Sequence, residues 1–125
     1  MKENEIATVI LDKAFEIHRN LGPGLLESVY EKALEFELIQ AGIFVVSQVS
    51  VPLIYKEIKF EAGFRLDLLV ENKVIVEIKA NEALAPVHFA QTLTYLKLSE
   101  KKLGLLINFN VKYLKDGIHR IGNNL

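Results

Sequence analysis

Cysteine is absent from the chain, and histidine occurs only three times in 125 residues. The first absence excludes disulfides, thiolate metal sites and a cysteine nucleophile. His18, His88 and His119 alone cannot build a structural zinc site without carboxylate help. A bound metal would therefore be a hard ion held by oxygen. No apolar run approaches the roughly 20 residues needed to cross a bilayer. Charge of one sign is also lacking: 15 Lys and Arg stand against 16 Asp and Glu, a formal net charge of −1. A dedicated duplex binder usually carries a strong positive excess. The overall balance therefore argues against tight stand-alone grip on nucleic acid, while leaving room for a local basic rim masked by acidic residues elsewhere. Internal repeats, linkers and low-complexity segments are missing too.

What is present is a large apolar fraction, half of the chain. That is enough for a core and too much for a disordered segment. The length fits one domain, 1–125. The polar start, Met1-Lys2-Glu3-Asn4-Glu5, leads straight into an amphipathic pattern without the apolar core of a signal peptide. The expectation is a cytoplasmic protein with no membrane partner.

Ile6, Val9, Ile10, Ala14, Ile17 and Leu21 recur at three- and four-residue steps, which predicts a helix from about Glu5 to Leu21. Gly22-Pro23-Gly24 breaks it. A second helix follows with Leu26, Val29, Tyr30, Ala33 and Leu34 inward, and Gly42 is its stop. From Ile43 the period becomes two, and Val49, Val51, Leu53 and Tyr55 mark a strand. Pro52 within it points to a sheet edge or a bulge. Phe60 to Val70 and Lys73 to Ala80 read as strands around Glu71-Asn72-Lys73. A helix over Pro86 to Lys101 follows, with Phe89, Ala90, Leu93 and Leu96 as its core side. Leu103 to Phe109 reads as a strand buried on both faces. Tyr113 to Ile121 is a candidate last strand around Asp116-Gly117.

The hairpin carries the chemistry. Leu66, Leu68 and Val70 are assigned to one face of its first strand, and Val74, Val76 and Ile78 to one face of its second. Burying both sets together requires an even-sum register, because a one-residue slip turns every side chain over. The simplest such register sets Val70 opposite Val74, and Asp67 then faces Glu77 with Lys79 two residues on. Directly opposed Cβ atoms lie ~4.5–5.5 Å apart. Two carboxylates that close repel unless a cation neutralises them. Magnesium or manganese suits such an oxygen site, and a lysine beside it can orient or activate water. This fits metal-assisted phosphodiester hydrolysis. The plain alternative is a solvent-facing hairpin with alternating charges, and the pattern alone leaves the two about even.

On the following helix Gln91 and Tyr95 are four apart and share a face, with His88 one turn earlier. Gln91 is a candidate for the rim of the site. Tyr95 reads more simply as a half-buried packing tyrosine, and His88 as a surface or capping residue. Arg65, two residues from Asp67 on the same strand face, could meet substrate phosphate or pair with Glu77 or Glu27.

Asp67, nine intervening residues and Glu77-Ile78-Lys79 resemble the motif of the PD-(D/E)XK nuclease superfamily, with Leu66 where the name has proline. Gln91-Thr92-Leu93-Thr94-Tyr95 looks like the QxxxY motif of its RecB-type branch. Gly24-Leu25-Leu26-Glu27-Ser28-Val29-Tyr30 is similar to the motif that names the GxxExxY family, and His18-Arg19-Asn20-Leu21-Gly22-Pro23-Gly24 leads into it as in that family. The resemblance implies a restriction-endonuclease-like α/β core, α-β-β-β-α-β, with an extra N-terminal helix and a possible C-terminal strand. It implies a Mg²⁺- or Mn²⁺-dependent nuclease acting on nucleic acid, DNA in the first instance. Glu27, Asp67 and Glu77 would then hold the metal directly or through water. Lys79 would serve the attacking water, Gln91 would assist at the rim, and Tyr30 and Tyr95 would support the site. Without the resemblance, Glu27 is simply a first-turn glutamate favoured by the helix dipole. A homodimer would supply two sites for two strands. The rival readings are a non-catalytic binding module on the same scaffold and a hydrolase of smaller phosphates.

Overall fold

The computed structural model describes residues 1–125. Helix α1 (Glu3–Leu21) buries Ile6, Ala7, Ile10, Ala14 and Ile17, the three- and four-residue stripe seen in the sequence. It stops at Gly22, whose φ of +72° favours glycine and whose N–H reaches the His18 carbonyl at 2.8 Å. Helix α2 (Glu27–Gln40) buries Tyr30, Leu34 and Leu38. Leu26 and Val29, expected inside, are instead exposed (74% and 39%). Leu26 precedes the first turn of α2, and Val29 lies on the open side of that turn.

Five strands form one sheet in the order β1-β2-β3-β4-β5: β1 (Val45–Tyr55), β2 (Ile58–Val70), β3 (Val74–Lys79), β4 (Leu103–Asn108) and β5 (Ile118–Gly122). All neighbours are antiparallel except β3 and β4, which α3 (Pro86–Ser99) links as a parallel pair. Pro52 lies on an edge strand, and the β1–β2 register shifts between Val51 and Leu53, so both readings of that proline hold. β4 is buried throughout, as a central strand covered on both faces must be. A 3₁₀ turn (Leu114–Gly117) leads into β5, which pairs with β4.

The sheet separates two apolar layers. Val74, Val76 and Ile78 join Leu68, Val70, Leu105 and Ile107 in the large core with α1 and α2. Ile75 faces the other way and packs with Leu96 of α3 and with Leu66. On α3 the buried residues are Thr92 and Leu96. Phe89 and Leu93 are half-buried and Ala90 is exposed, so the apolar side is narrower than the sequence pattern indicates. Gly104 of β4 makes this packing possible, since a Cβ there would lie 2.9 Å from Thr92 Cγ2. The result is the α/β core expected, with the extra N-terminal helix in front and the C-terminal strand behind. No helix is long and apolar enough to cross a membrane.

Candidate functional site

The predicted hairpin register is the one observed: Val70 pairs with Val74, Leu69 with Ile75 and Leu68 with Val76. Glu71 and Asn72 of the connecting loop take φ of +53° and +54°. The next pair in register is Asp67 with Glu77, and here the ladder stops. In its place each carboxylate takes an amide of the opposite strand. Asp67 N–H donates to Glu77 Oε2 at 3.0 Å, and Ile78 N–H donates to Asp67 Oδ2 at 2.8 Å. The amides stay satisfied, as buried backbone groups must, and Asp67 Oδ1 and Glu77 Oε1 remain without a protein donor.

The face assignments on β2 need correction. Leu66 does not lie with Leu68 and Val70 but packs with Ile75 and Leu96 on the α3 side. The alternation of β2 inverts at Asp67. Opposite it on β1 stands Gln48, with φ of +52°, between the pairs Ser47–Leu68 and Val49–Leu66. This irregularity in both strands is the physical reason for the inversion, and it places the residue that carries the carboxylate at the point where the strand changes face.

Glu77 is 4% exposed. Burial, and then the neighbouring Asp67 charge, push its pKa from the ordinary 4.5 up to about 8, against the opposing pull of the Asp67 amide and Lys79. Lys79 ends β3 half-buried, paired in register with Asn108. That end is tied down: Phe109 N–H donates to the Lys79 carbonyl at 2.9 Å, while Asn108 donates to Asn81 O (3.0 Å) and accepts from Asn81 N (3.1 Å) and Asn110 N (3.2 Å).

An open cleft beside Asp67 is lined also by Leu26, Glu27, Ser28, Glu31 and Gln48. Glu27 is the exposed first residue of α2. Of the two arrangements expected for Glu27, Asp67 and Glu77, direct or through water, the direct gathering of all three around one ion is not formed. No three His, Asp or Glu side chains gather closely enough for that. The α2 carboxylate whose charge reaches both Asp67 and Glu77 is Glu31, one turn beyond Glu27. Burial raises the pKa of Glu31, and the Gln48 amide, donating to both its oxygens at 3.0 and 2.9 Å, opposes that rise.

Neither Glu31 nor Gln48 stands out in the sequence. The four-residue spacing of Glu27 and Glu31 is the available signal, because like charges so placed destabilise an ordinary helix. Nothing in the pattern marks a glutamine with positive φ.

The two facing carboxylates, with one oxygen each still available, suit magnesium, which commonly binds through one or two carboxylates and keeps several waters. The pair thus fits a hard divalent cation without a third protein carboxylate in direct contact.

Tyr95 stacks on Phe64, with ring centroids 4.5 Å apart and planes 18° apart. Burial, and then the charges of Glu77 and Asp67, raise the pKa of its hydroxyl, so it is a packing residue close to the carboxylates. Gln91, one turn earlier, is half-buried and makes no side-chain hydrogen bond to protein. Arg65 is exposed and pairs in register with Ser50; because β2 changes face at Asp67, it does not share that residue's face as the unbroken alternation indicated, and it pairs with neither Glu77 nor Glu27, the one ion pair in the chain being Lys59–Glu61. His88 caps α3, its Nδ1 accepting from Ala85 N–H at 2.9 Å. The Tyr30 hydroxyl donates to Gly22 O at 2.6 Å and accepts from Leu25 N–H at 3.1 Å, and its ring stacks on Phe109 at 4.5 Å. It fastens the loop that delivers Glu27 and does not touch the carboxylates.

A model of the PD-(D/E)XK nuclease superfamily matches residues 4–121. Among solved structures, SSO0001 is similar at 21% identity and a TM-score of 0.55, over 79% of this chain and 51% of that one, so the chain spans about half its length. An alkaline exonuclease, LHK-Exo from Laribacter hongkongensis, is similar at 17% identity and a TM-score of 0.50, over 99% of this chain and 73% of that one. At these identities the likeness is one of fold. No curated protein matches significantly. The match over nearly the whole chain, on a sheet that opens where the superfamily motif lies, establishes that this chain belongs to the PD-(D/E)XK nuclease superfamily.

Proposed function

We infer that the protein, as a single domain, hydrolyses phosphodiester bonds of nucleic acid, DNA in the first instance, with Mg²⁺ or Mn²⁺ held by Asp67 and Glu77. The observation that carries this is the exchanged hydrogen bonding. Two carboxylates on neighbouring strands face each other beside Lys79, each held by the other strand's amide, and one of them is buried where its charge is disfavoured. A divalent cation bound there would neutralise the pair and polarise a phosphoryl oxygen. The amides of Asp67 and Ile78 fix the two carboxylates, so no reorganisation is needed when the substrate arrives. Lys79, held by its strand's pairing with β4, orients the attacking water and stabilises charge that develops on phosphate. Glu27 and Glu31 face the cleft and act through water. Gln91 meets phosphate at the rim, and Arg65 holds the strand further out with its planar fork. Gly24, Glu27 and Tyr30 support placement in the GxxExxY family, with Gly24 (φ +97°) and Tyr30 shaping the loop that ends at Glu27.

A binding module without turnover is the second reading, favoured by the lack of a three-carboxylate group. The test compares wild type, Glu77→Ala and Lys79→Ala on single- and double-stranded DNA and RNA, with Mg²⁺, with Mn²⁺ and with EDTA. Metal-dependent cleavage by wild type, lost in both variants, supports hydrolysis. Equal background cleavage by all three proteins leaves the binding module.

A further inference from the structure

A second cleft, of about 490 Å³, lies between the C-terminal turn of α1 and the segment that follows β4. Its lining includes Arg19, Lys112, Lys115 and His18, with Tyr113 and Phe15, and no aspartate or glutamate. Arg19, Lys112 and Lys115 are exposed and none is in an ion pair. In a chain of net charge −1, three unpaired cations around one cleft form the local basic rim that the overall balance hides. Arg19 has an ordinary reason to be there, since the last turn of a helix favours cations. Lys115 lies within the single 3₁₀ turn Leu114–Gly117, and Lys112 lies outside any helix and has no such reason. Tyr113 is 57% exposed, and the Lys112 ammonium sits 5.4 Å from its ring centroid.

The far wall is preformed. Leu114 is buried in the main core, His18 Nε2 lies 2.8 Å from the Val111 carbonyl, and Asp116 N–H donates to Tyr113 O at 3.0 Å. The backbone that carries Lys112, Tyr113 and Lys115 is therefore in place before a strand arrives. It also adjoins the carboxylate site. Gly22 and Pro23 line one cleft, Leu26 and Glu27 line the other, and Tyr30 clamps the loop between them. Gly22 and Leu26 are at most about 14 Å apart along the chain, so a short single strand can reach both clefts.

We propose that this cleft binds a single-stranded segment of the nucleic-acid substrate, Arg19, Lys112 and Lys115 meeting phosphates while a base stacks on Tyr113. A positive groove combined with exposed aromatic faces is how single strands are held without sequence preference. The proposal rests on the phosphodiesterase reading for what occupies the neighbouring cleft, but strand binding is measurable without turnover.

The test is fluorescence anisotropy with labelled dT12 and rU12 in EDTA over a salt series. The Lys112→Ala/Lys115→Ala double variant is expected to bind at least about tenfold more weakly at low salt. Its log–log salt slope should be shallower by about 1.4, because each phosphate neutralised on a single strand contributes ~0.7 and the variant neutralises two fewer. Tyr113→Ala should weaken binding about fivefold or more, and Tyr113→Phe should restore it, because only the ring is needed. The relative affinity of dT12 and rU12 shows which sugar the cleft accepts. Wild-type binding with no cleavage in Mg²⁺ or Mn²⁺ would sink the hydrolase reading and leave the cleft standing. Cleavage of bis(4-nitrophenyl) phosphate by wild type, with strand affinity and salt slope unchanged in the double variant, overturns the cleft, as does failure of wild type to bind either strand.

Discussion

Glu77 makes the metal-free protein weaker as pH rises, and the size of the effect follows from its surroundings. Its carboxyl titrates near 8 in the fold, against 4.5 ordinarily, chiefly because it is buried and secondly because Asp67 faces it. A carboxyl whose folded pKa is raised binds its proton more tightly in the native state than in the unfolded chain. Its contribution is therefore fully present below pH 4.5 and is lost progressively up to about pH 8. Each pH unit in that window removes about 1.4 kcal/mol, so wild type gives up about 3 kcal/mol by pH 7 and about 4 kcal/mol by pH 8. Glu77→Gln keeps an oxygen to accept the Asp67 N–H and cannot ionise. The assay is urea denaturation of both proteins in EDTA from about pH 4.5 to about pH 8.5, the window in which the linkage acts. The wild-type curve should fall relative to that of the variant across the window, and Mg²⁺ at about pH 8 should raise wild type alone, since a ligand of the native state stabilises it by mass action. Parallel curves for the two proteins would falsify the claim that Glu77 is held where its charge is disfavoured.

Three further outcomes follow from particular side chains. Lys79→Met should lower Mg²⁺-dependent cleavage at least about 100-fold, with urea stability in EDTA changed by about 1 kcal/mol or less, read from paired kinetics and denaturation. Gly104→Ala sets a Cβ 2.9 Å from Thr92 Cγ2 and should cost about 1–3 kcal/mol of stability. Combining it with Thr92→Ala should recover most of that loss, and a simple sum of the two losses would count against steric crowding as the cause. Tyr30→Phe retains the stack on Phe109 but loses both loop hydrogen bonds. It should cost about 1–3 kcal/mol and speed amide exchange at Leu25, whose N–H loses its acceptor.

Elements with one clean periodicity were legible in the sequence. The stripe of α1, the two-sided burial of β4 and the Val70–Val74 turn all come from apolar spacing that admits one packing solution. Facing Asp67 and Glu77 followed from that register without any family knowledge. The misplacement of Leu66 has a definite cause: period-two reasoning assumes an unbroken pleat, and the pleat breaks where Gln48 takes a positive φ beside Asp67. On α2 the apolar residues do not keep to one side. Phe36 and Ile39 are exposed (61% and 54%) while Tyr30, Leu34 and Leu38 are buried, so spacing could not show that Val29 lies outside or that Glu31 faces the site. Roles set by which way a helix turns toward a strand require the third dimension.

The same break explains how the hairpin tolerates its charges. In a continuous ladder the carboxylates of Asp67 and Glu77 would take no amide of each other's strand and would confront each other as like charges, which destabilises a sheet. Opening the ladder lets each carboxylate take the place of a lost carbonyl partner, so the amides of Asp67 and Ile78 remain bonded and little hydrogen bonding is sacrificed. What remains unfavourable is the charge itself, and burial of Glu77 keeps it so. β3 does not fall away at the opening because its other edge stays paired with β4 through Glu77–Leu106, Ile78–Ile107 and Lys79–Asn108. The parallel pair therefore carries the mechanical burden, while the antiparallel side is free to part. A gap between strands, rigid on one edge and electrostatically incomplete on the other, gains most from a cation that supplies the missing charge. Such a gap has less to gain from a third protein carboxylate, which would deepen the negative potential that burial already makes costly.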